Sequence, residues 1–319
     1  MADIEEKKVE EQPAEQPKKL TKKEELERDI SFYQERYFTF DEPVPFDGLT
    51  LYPATVRNYN SFMSSSTCCT LNKNDDPEGL RLTHLDYLMK KLKDEKDGPL
   101  WCTRLTKLVE VCMHIENGYK CPKCGKHISI TEFFMRLSNP NLNKEDIDKC
   151  ECGEKMYATI RWQQNEKSKK RTDLVIDNHV IDADSFYRLR KILMYQNVPD
   201  WQDDEDVIKE IRDDQAARSE ILSKGQGKAS LERKMCCLCV KTGFHIEDLY
   251  DMPIRKFSQM LGIADDLINY ETTKLGLMTG MVSLKDGSHI DHWIYKKERS
   301  LMEGMVEAES FKNQIKSAN

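Results

Sequence analysis

Four cysteines constrain this chain more than any other feature. They stand as Cys121-Pro-Lys-Cys124-Gly125 and Cys150-Glu-Cys152-Gly153. A Cys-x-x-Cys turn presents two thiolates to one cation, and a glycine just after lets the backbone curl around it. The second half repeats the device with one residue fewer. Four thiolates around a tetrahedral Zn²⁺ form a closed structural site with no open position for a catalytic water. The cofactor expected is therefore a structural Zn²⁺ held by Cys121, Cys124, Cys150 and Cys152. Two such doublets argue against a redox pair. His127, close by, reads as a strand residue beside the first knuckle. The 25 residues between Cys124 and Cys150 include Thr131 to Leu137, read as a helical insertion.

Seven further cysteines bring the total to eleven, an odd number with no secretory leader in view, so a reducing compartment is expected. Cys68 and Cys69 read as a helix-core pair. Cys236, Cys237 and Cys239 read as small buried apolar groups, with a second metal site including His245 as the sharper alternative. His289 and His292 lack a thiol or acidic partner at a diagnostic spacing. Met278, Met281, Met302 and Met305 read as core or interface filler. The net charge of −7 over 319 residues does not favour broad attraction to nucleic acid or anionic membrane. No apolar run approaches the roughly 18–20 residues needed to span a bilayer.

The fold class expected is α+β, mostly helical, with an inserted zinc-ribbon-like module held by four cysteines. The chain divides into a charged flexible tail over 1–29, an N-terminal α+β domain over 30–117 and a zinc-binding module over 118–165. A linker strand with acidic helices over 166–227 and a helical C-terminal domain over 228–319 follow. Residues 30–48 read as extended chain and turns, and a helix is expected after Pro53. Thr83 is expected to cap a helix through Leu92, and Leu100 to Ile115 to form another. Leu174-Val175-Ile176 reads as a strand before an Asp177-Asn178 turn, and Asp184 as the cap of the next helix. An acidic helix is expected after Trp201. Leu231–Val240, Ile254–Ile263, Asp265–Met278 and Met302–Ile315 are each expected to be helical.

A nucleic-acid contact has one candidate, the basic run Lys167, Lys169, Lys170 and Arg171. Against it, residues 118–162 carry eight basic and six acidic side chains. Adding four thiolates and one Zn²⁺ brings that sum to zero, whereas a phosphate reader is clearly positive. Nucleic acid is thus the alternative reading. Phosphate-loop, dinucleotide-fingerprint, nucleophile-elbow and His-Glu-x-x-His motifs are all missing from the sequence. The chain is expected not to be an enzyme.

Two stretches carry a likeness. One runs Gly48-Leu-Thr-Leu-Tyr-Pro-Ala-Thr-Val-Arg-Asn-Tyr-Asn-Ser-Phe62, with Leu82-Thr-His-Leu-Asp-Tyr-Leu88 after it. The other runs Ile246-Glu-Asp-Leu-Tyr-Asp-Met-Pro-Ile-Arg-Lys-Phe257, then Tyr270, Gly276-Leu-Met-Thr-Gly280 and Trp293-Ile-Tyr295. Together they resemble tail and baseplate proteins of tailed bacteriophages, particularly baseplate hub and tail-assembly proteins. Members of that group can carry a Cys-x-x-Cys knuckle after a helical N-terminal part, as Cys121 and Cys124 stand here. The insertion before Cys150 and the acidic stretch at 201–223 depart from that pattern. The resemblance covers about a third of the chain. It implies a virion or assembly role and assigns no catalytic residue. Other tail or baseplate proteins would be the partners, with no membrane and no small-molecule substrate. The location implied is the virion, and the host cytoplasm during assembly.

Overall fold

A stripe of Leu26, Ile30 and Tyr33 at helical steps, continued by Tyr37 at the C-cap, marks helix α1 (Lys22–Arg36). Thr21 and Glu24 close a reciprocal capping box at its start. A computed structural model describes residues 21–139, 147–165, 171–203, 210–214, 217, 229–281 and 292–294. The tail expected over 1–29 is therefore corrected over its last nine residues. Leu26 and Ile30 are buried in the core, because two apolar side chains one turn apart outweigh the charge around them. Residues 1–20 lie outside the described residues.

Two tight hairpins follow the same rule. Strands β1 (Val44–Phe46) and β2 (Leu49–Leu51) pair antiparallel across Asp47-Gly48, both at positive φ. Strands β7 (Thr172–Ile176) and β8 (His179–Ile181) pair across Asp177-Asn178, again both at positive φ. Asp-Gly and Asp-Asn suit this two-residue connection, whose twist matches that of the strands. Strand β6 (Ile160–Gln164) pairs with β7 on its other side, which makes a β6-β7-β8 antiparallel sheet.

Around these strands lie α2 (Tyr59–Ser65), α3 (Thr67–Thr70), α4 (His84–Leu92) and α5 (Gly98–Met113). Thr83 caps α4, its hydroxyl accepting from the Asp86 N–H. Helix α7 (Ala183–Asn197) runs through the middle and packs against α1, α3, α4 and β8. Its cap is Asp182, which accepts from Ser185 N–H, and not the expected Asp184.

One core joins these parts. Phe62, Leu85, Leu105, Ile176, Phe186 and Leu193 belong to a single buried cluster. Over 171–197, within the stretch expected as a linker, the described residues share this core with those of 30–117. β7 and α7 are core elements of the body that begins at α1, because their apolar faces have no other surface to bury. Of the acidic stretch after Trp201, residues 210–214 are helical and most of the rest lies outside the described residues. Among the described residues, no helix is long and apolar enough to cross a membrane.

Residues 51–57 form a seam between this body and the C-terminal part. On one side the Gln196 amide donates to the Leu51 carbonyl at 3.1 Å, and the Asn197 carbonyl oxygen accepts from the Ala54 N–H at 2.7 Å. On the other, Ile254 N–H donates to Ala54 O, and Val56 N–H to Met252 O. Asn197 is fully buried and also donates to Leu193 O at 2.9 Å. Replacing Asn197 by Ala strands the Ala54 N–H without a partner. The expected cost is about 1–3 kcal/mol, read as a shifted urea midpoint with an unchanged slope.

The C-terminal part holds α8 (Leu231–Thr242) and α9 (Ile254–Met278), packed over a small cluster of Val56, Met235, Leu238, Leu249 and Phe257. Gly243 ends α8 in the left-handed conformation. The two helices expected over Ile254–Ile263 and Asp265–Met278 are one helix of 25 residues. Gly262 is carried inside it, since a lone glycine costs only about 1 kcal/mol in a helix interior. The helix expected over Met302–Ile315 lies outside the described residues.

Candidate metal centre

The module is built on strands β3 (Gly118–Lys120), β4 (His127–Ser129) and β5 (Tyr157–Ala158), ordered β4-β3-β5. β3 runs into the first knuckle and β4 leaves it. In the first knuckle Gly125 N–H donates to Cys121 O and Cys121 N–H to Lys126 O. In the second, Gly153 N–H donates to Cys150 O and Cys150 N–H to Glu154 O. Gly125 and Gly153 adopt φ of +71° and +86°, a region that side-chain-bearing residues enter only at a cost. The two halves are therefore built alike, and each turns its cysteines to the same point.

The four sulfurs lie within 4.8 Å of one another. Cys121 Sγ is 3.4 Å from Cys152 Sγ, and Cys124 Sγ is 3.4 Å from Cys150 Sγ. Both distances far exceed a disulfide bond of about 2.05 Å. They approach the roughly 3.8 Å edge of a tetrahedron with metal–sulfur bonds of about 2.3 Å. Cys121 and Cys150 are buried, while Cys124 and Cys152 are exposed.

The electrostatics single out Cys121 among the thiols. The backbone N–H of Cys124 lowers the Cys121 thiol to about 6, against burial and with help from the Lys123 N–H. Against the lowering pull of the Lys126 N–H, the Cys150 and Cys121 sulfurs push the Cys124 thiol up to about 12. Four thiolates so close cannot all be charged without a cation among them. In the main core, by contrast, burial pushes Cys68 and Cys112 each up to about 12. Those are inert packing groups, as read for Cys68 and Cys69. The tetrad fits a metal ion, and the module is zinc-ribbon-like.

Helix α6 (Ile130–Leu137) is inserted between the knuckles, with Ser129 as its cap. Phe133 stacks on Tyr119 of β3 with ring centroids 3.9 Å apart, which fastens the insertion to the sheet. Two further contacts anchor the module to the body. Lys120 Nζ lies 2.7 Å from Asp177 in the β7–β8 turn, and the Tyr157 hydroxyl donates to the same carboxylate at 3.0 Å. Against the upward push of burial, Lys120 and Tyr157 hold Asp177 below the usual carboxylate range. The Thr159 hydroxyl accepts from Gly118 N–H at 3.0 Å and donates to Glu116 O at 2.9 Å. These polar anchors carry no sequence signature.

His127 sits in β4 outside the tetrad, its Nδ1 3.5 Å from the Glu116 carboxylate. Cys236 and Cys237 are exposed on α8, not buried, because α8 turns Met235 and Leu238 inward instead. Among the described residues, the one cluster of at least three metal-ligating side chains is the tetrad, so His245 does not join the α8 cysteines. Met278 and Met281 are exposed. Lys167, Lys169 and Lys170 lie outside the described residues, as do His289, Met302 and Met305; Arg171 is exposed just before β7.

Residues 223–298 match the family model described as the YomV second domain. YomV is a Bacillus phage protein, so this segment is similar to a phage-derived domain family. The match spans about a quarter of the chain and takes in α8 and α9. No curated protein and no solved structure matches the chain.

Proposed function

We propose that the chain is a structural or assembly protein of a bacteriophage virion, acting in the tail or baseplate through protein–protein contacts and not by catalysis. The observation that carries this reading is the match of residues 223–298 to a phage-derived domain family. The tetrad supports the non-catalytic part, since a closed all-thiolate centre leaves no position for substrate or water. The ion proposed is Zn²⁺, which four thiolates in a tetrahedron suit. Its work is to hold the α6 insertion and its sheet as one rigid platform on the body. Other tail and baseplate proteins are the proposed partners, in the virion and in the host cytoplasm during assembly.

The test is a tagged pull-down from infected cells after nuclease treatment, read by mass spectrometry. Recovery of tail-tube, hub or tape-measure proteins is the expected result. Partners that vanish with nuclease, or polymerase subunits, would move the reading to a nucleic-acid factor working through Lys167, Lys169, Lys170 and Arg171.

A further inference from the structure

Helix α9 is longer than the surface that supports it. Ile254 and Phe257 are buried, but no residue of α9 beyond Phe257 is. Its far part is amphipathic all the same. One side faces α8, where Lys241 Nζ lies 3.6 Å from Glu271. About 100° around the helix, Ile263, Leu267, Tyr270 and Leu277 fall on a second stripe at helical steps. Ile263 is 49 % exposed there. A helical extension of this kind does not sustain itself in water; it needs an apolar partner along that stripe.

The chain's own path indicates the partner. Gly280, at φ +72°, follows the end of α9 in a left-handed turn. By residue 292 the chain is back beside the helix, with the His292 ring centred 5.1 Å from that of Tyr270. His292 thus lies against the second stripe at Tyr270. From Ile294 to the C-terminus 25 residues remain, about 37 Å as a helix, while Tyr270 to Ile254 is 16 residues, about 24 Å. Within those 25, Leu301, Met305, Ala308, Phe311 and Ile315 share one helical face, and Glu303 falls about 140° from its centre.

We infer that residues 301–315 dock as an amphipathic helix antiparallel to α9, along the Ile263–Leu267–Tyr270 stripe, and complete a three-helix unit with α8. The occupant is the chain's own C-terminal segment, not a second copy.

Hydrogen exchange on the full chain tests this. Amides of 263–278 should be protected to the same degree at low and high protein concentration. In the full-length double variant Leu301→Glu, Met305→Glu that protection should fall tenfold or more, with 174–197 unchanged. Unchanged protection in the variant, or protection that rises with concentration, overturns the inference. Amine cross-linking of the unaltered chain, as an equal mixture of ¹⁴N and ¹⁵N protein, is the second measurement. Links from Lys312 or Lys316 to Lys256 or Lys274 should join residues of one isotope. Mixed-isotope links would show a second copy on the stripe, and absence of these links would also overturn the docking.

Discussion

Stripping the metal from the tetrad is expected to unfold residues 118–158 while the main core stays folded. The module has little else to hold it. Its buried cluster is Cys121, Ile128, Cys150 and Met156, with Tyr119 and Phe133 packed alongside. Two of the four buried residues are themselves tetrad cysteines. A structural Zn²⁺ contributes an apparent binding energy of about 10–16 kcal/mol near neutral pH, far more than so small a cluster can supply. Chelator treatment, or Cys121→Ser with Cys150→Ser, should therefore abolish exchange protection in β3, β4 and α6. Metal content should fall from one ion per chain to none. Cys102→Ser is the control, since Cys102 is exposed and outside the tetrad. The main core is a separate cluster, so amides of α7 and β7 should keep their protection. Unchanged protection of β3 after complete metal removal would show that the ion is not structural.

The second large effect is expected at Phe186. This side chain is 2 % exposed on α7, in the cluster that joins α1, α2, α4, α5 and β7. Truncation to Ala removes a buried ring and leaves a cavity in a helix that neighbours enclose on several sides, so collapse around it is limited. The expected loss is about 3–5 kcal/mol. For a body of this size that is a fall in melting temperature of roughly 10 °C. The tetrad should still bind its metal in this variant, because the module does not share the Phe186 cluster. A loss under about 1 kcal/mol would mean that α7 is not the centre of the core.

Where local chemistry decides structure, the sequence was legible. Two Cys doublets with trailing glycines announce the knuckles, Thr83 announces its helix, and Asp177-Asn178 announces a turn. Each of these is settled by residues within a few positions of one another. What was hidden depends on distant partners. Leu174-Val175-Ile176 reads as a strand, but nothing near it says that Phe62 and Leu85 lie in the same core. The start of α1 was masked by its charge, although Leu26 and Ile30 already mark a helical face. The break expected between Ile263 and Asp265 does not occur, and α9 runs through it. The tetrad itself was readable as a ligand set, whereas the Lys120–Asp177 and Thr159 anchors join residues 41 to 57 positions apart.

The seam at residues 51–57 has a consequence for biosynthesis. Ala54 waits for Asn197, 143 residues downstream. At roughly 5–20 residues per second a ribosome takes about 7 to 29 seconds to supply that partner. Until then Phe62, Leu85 and Leu105 have no α7 to close over them, and the emerging chain carries an open apolar surface. The cysteine module has no such wait, because its last strand ends at Ala158 and its four tetrad cysteines lie between Cys121 and Cys152. The insert is thus expected to mature on the ribosome before the body that carries it, with the nascent N-terminal helices relying on chaperones in the interval.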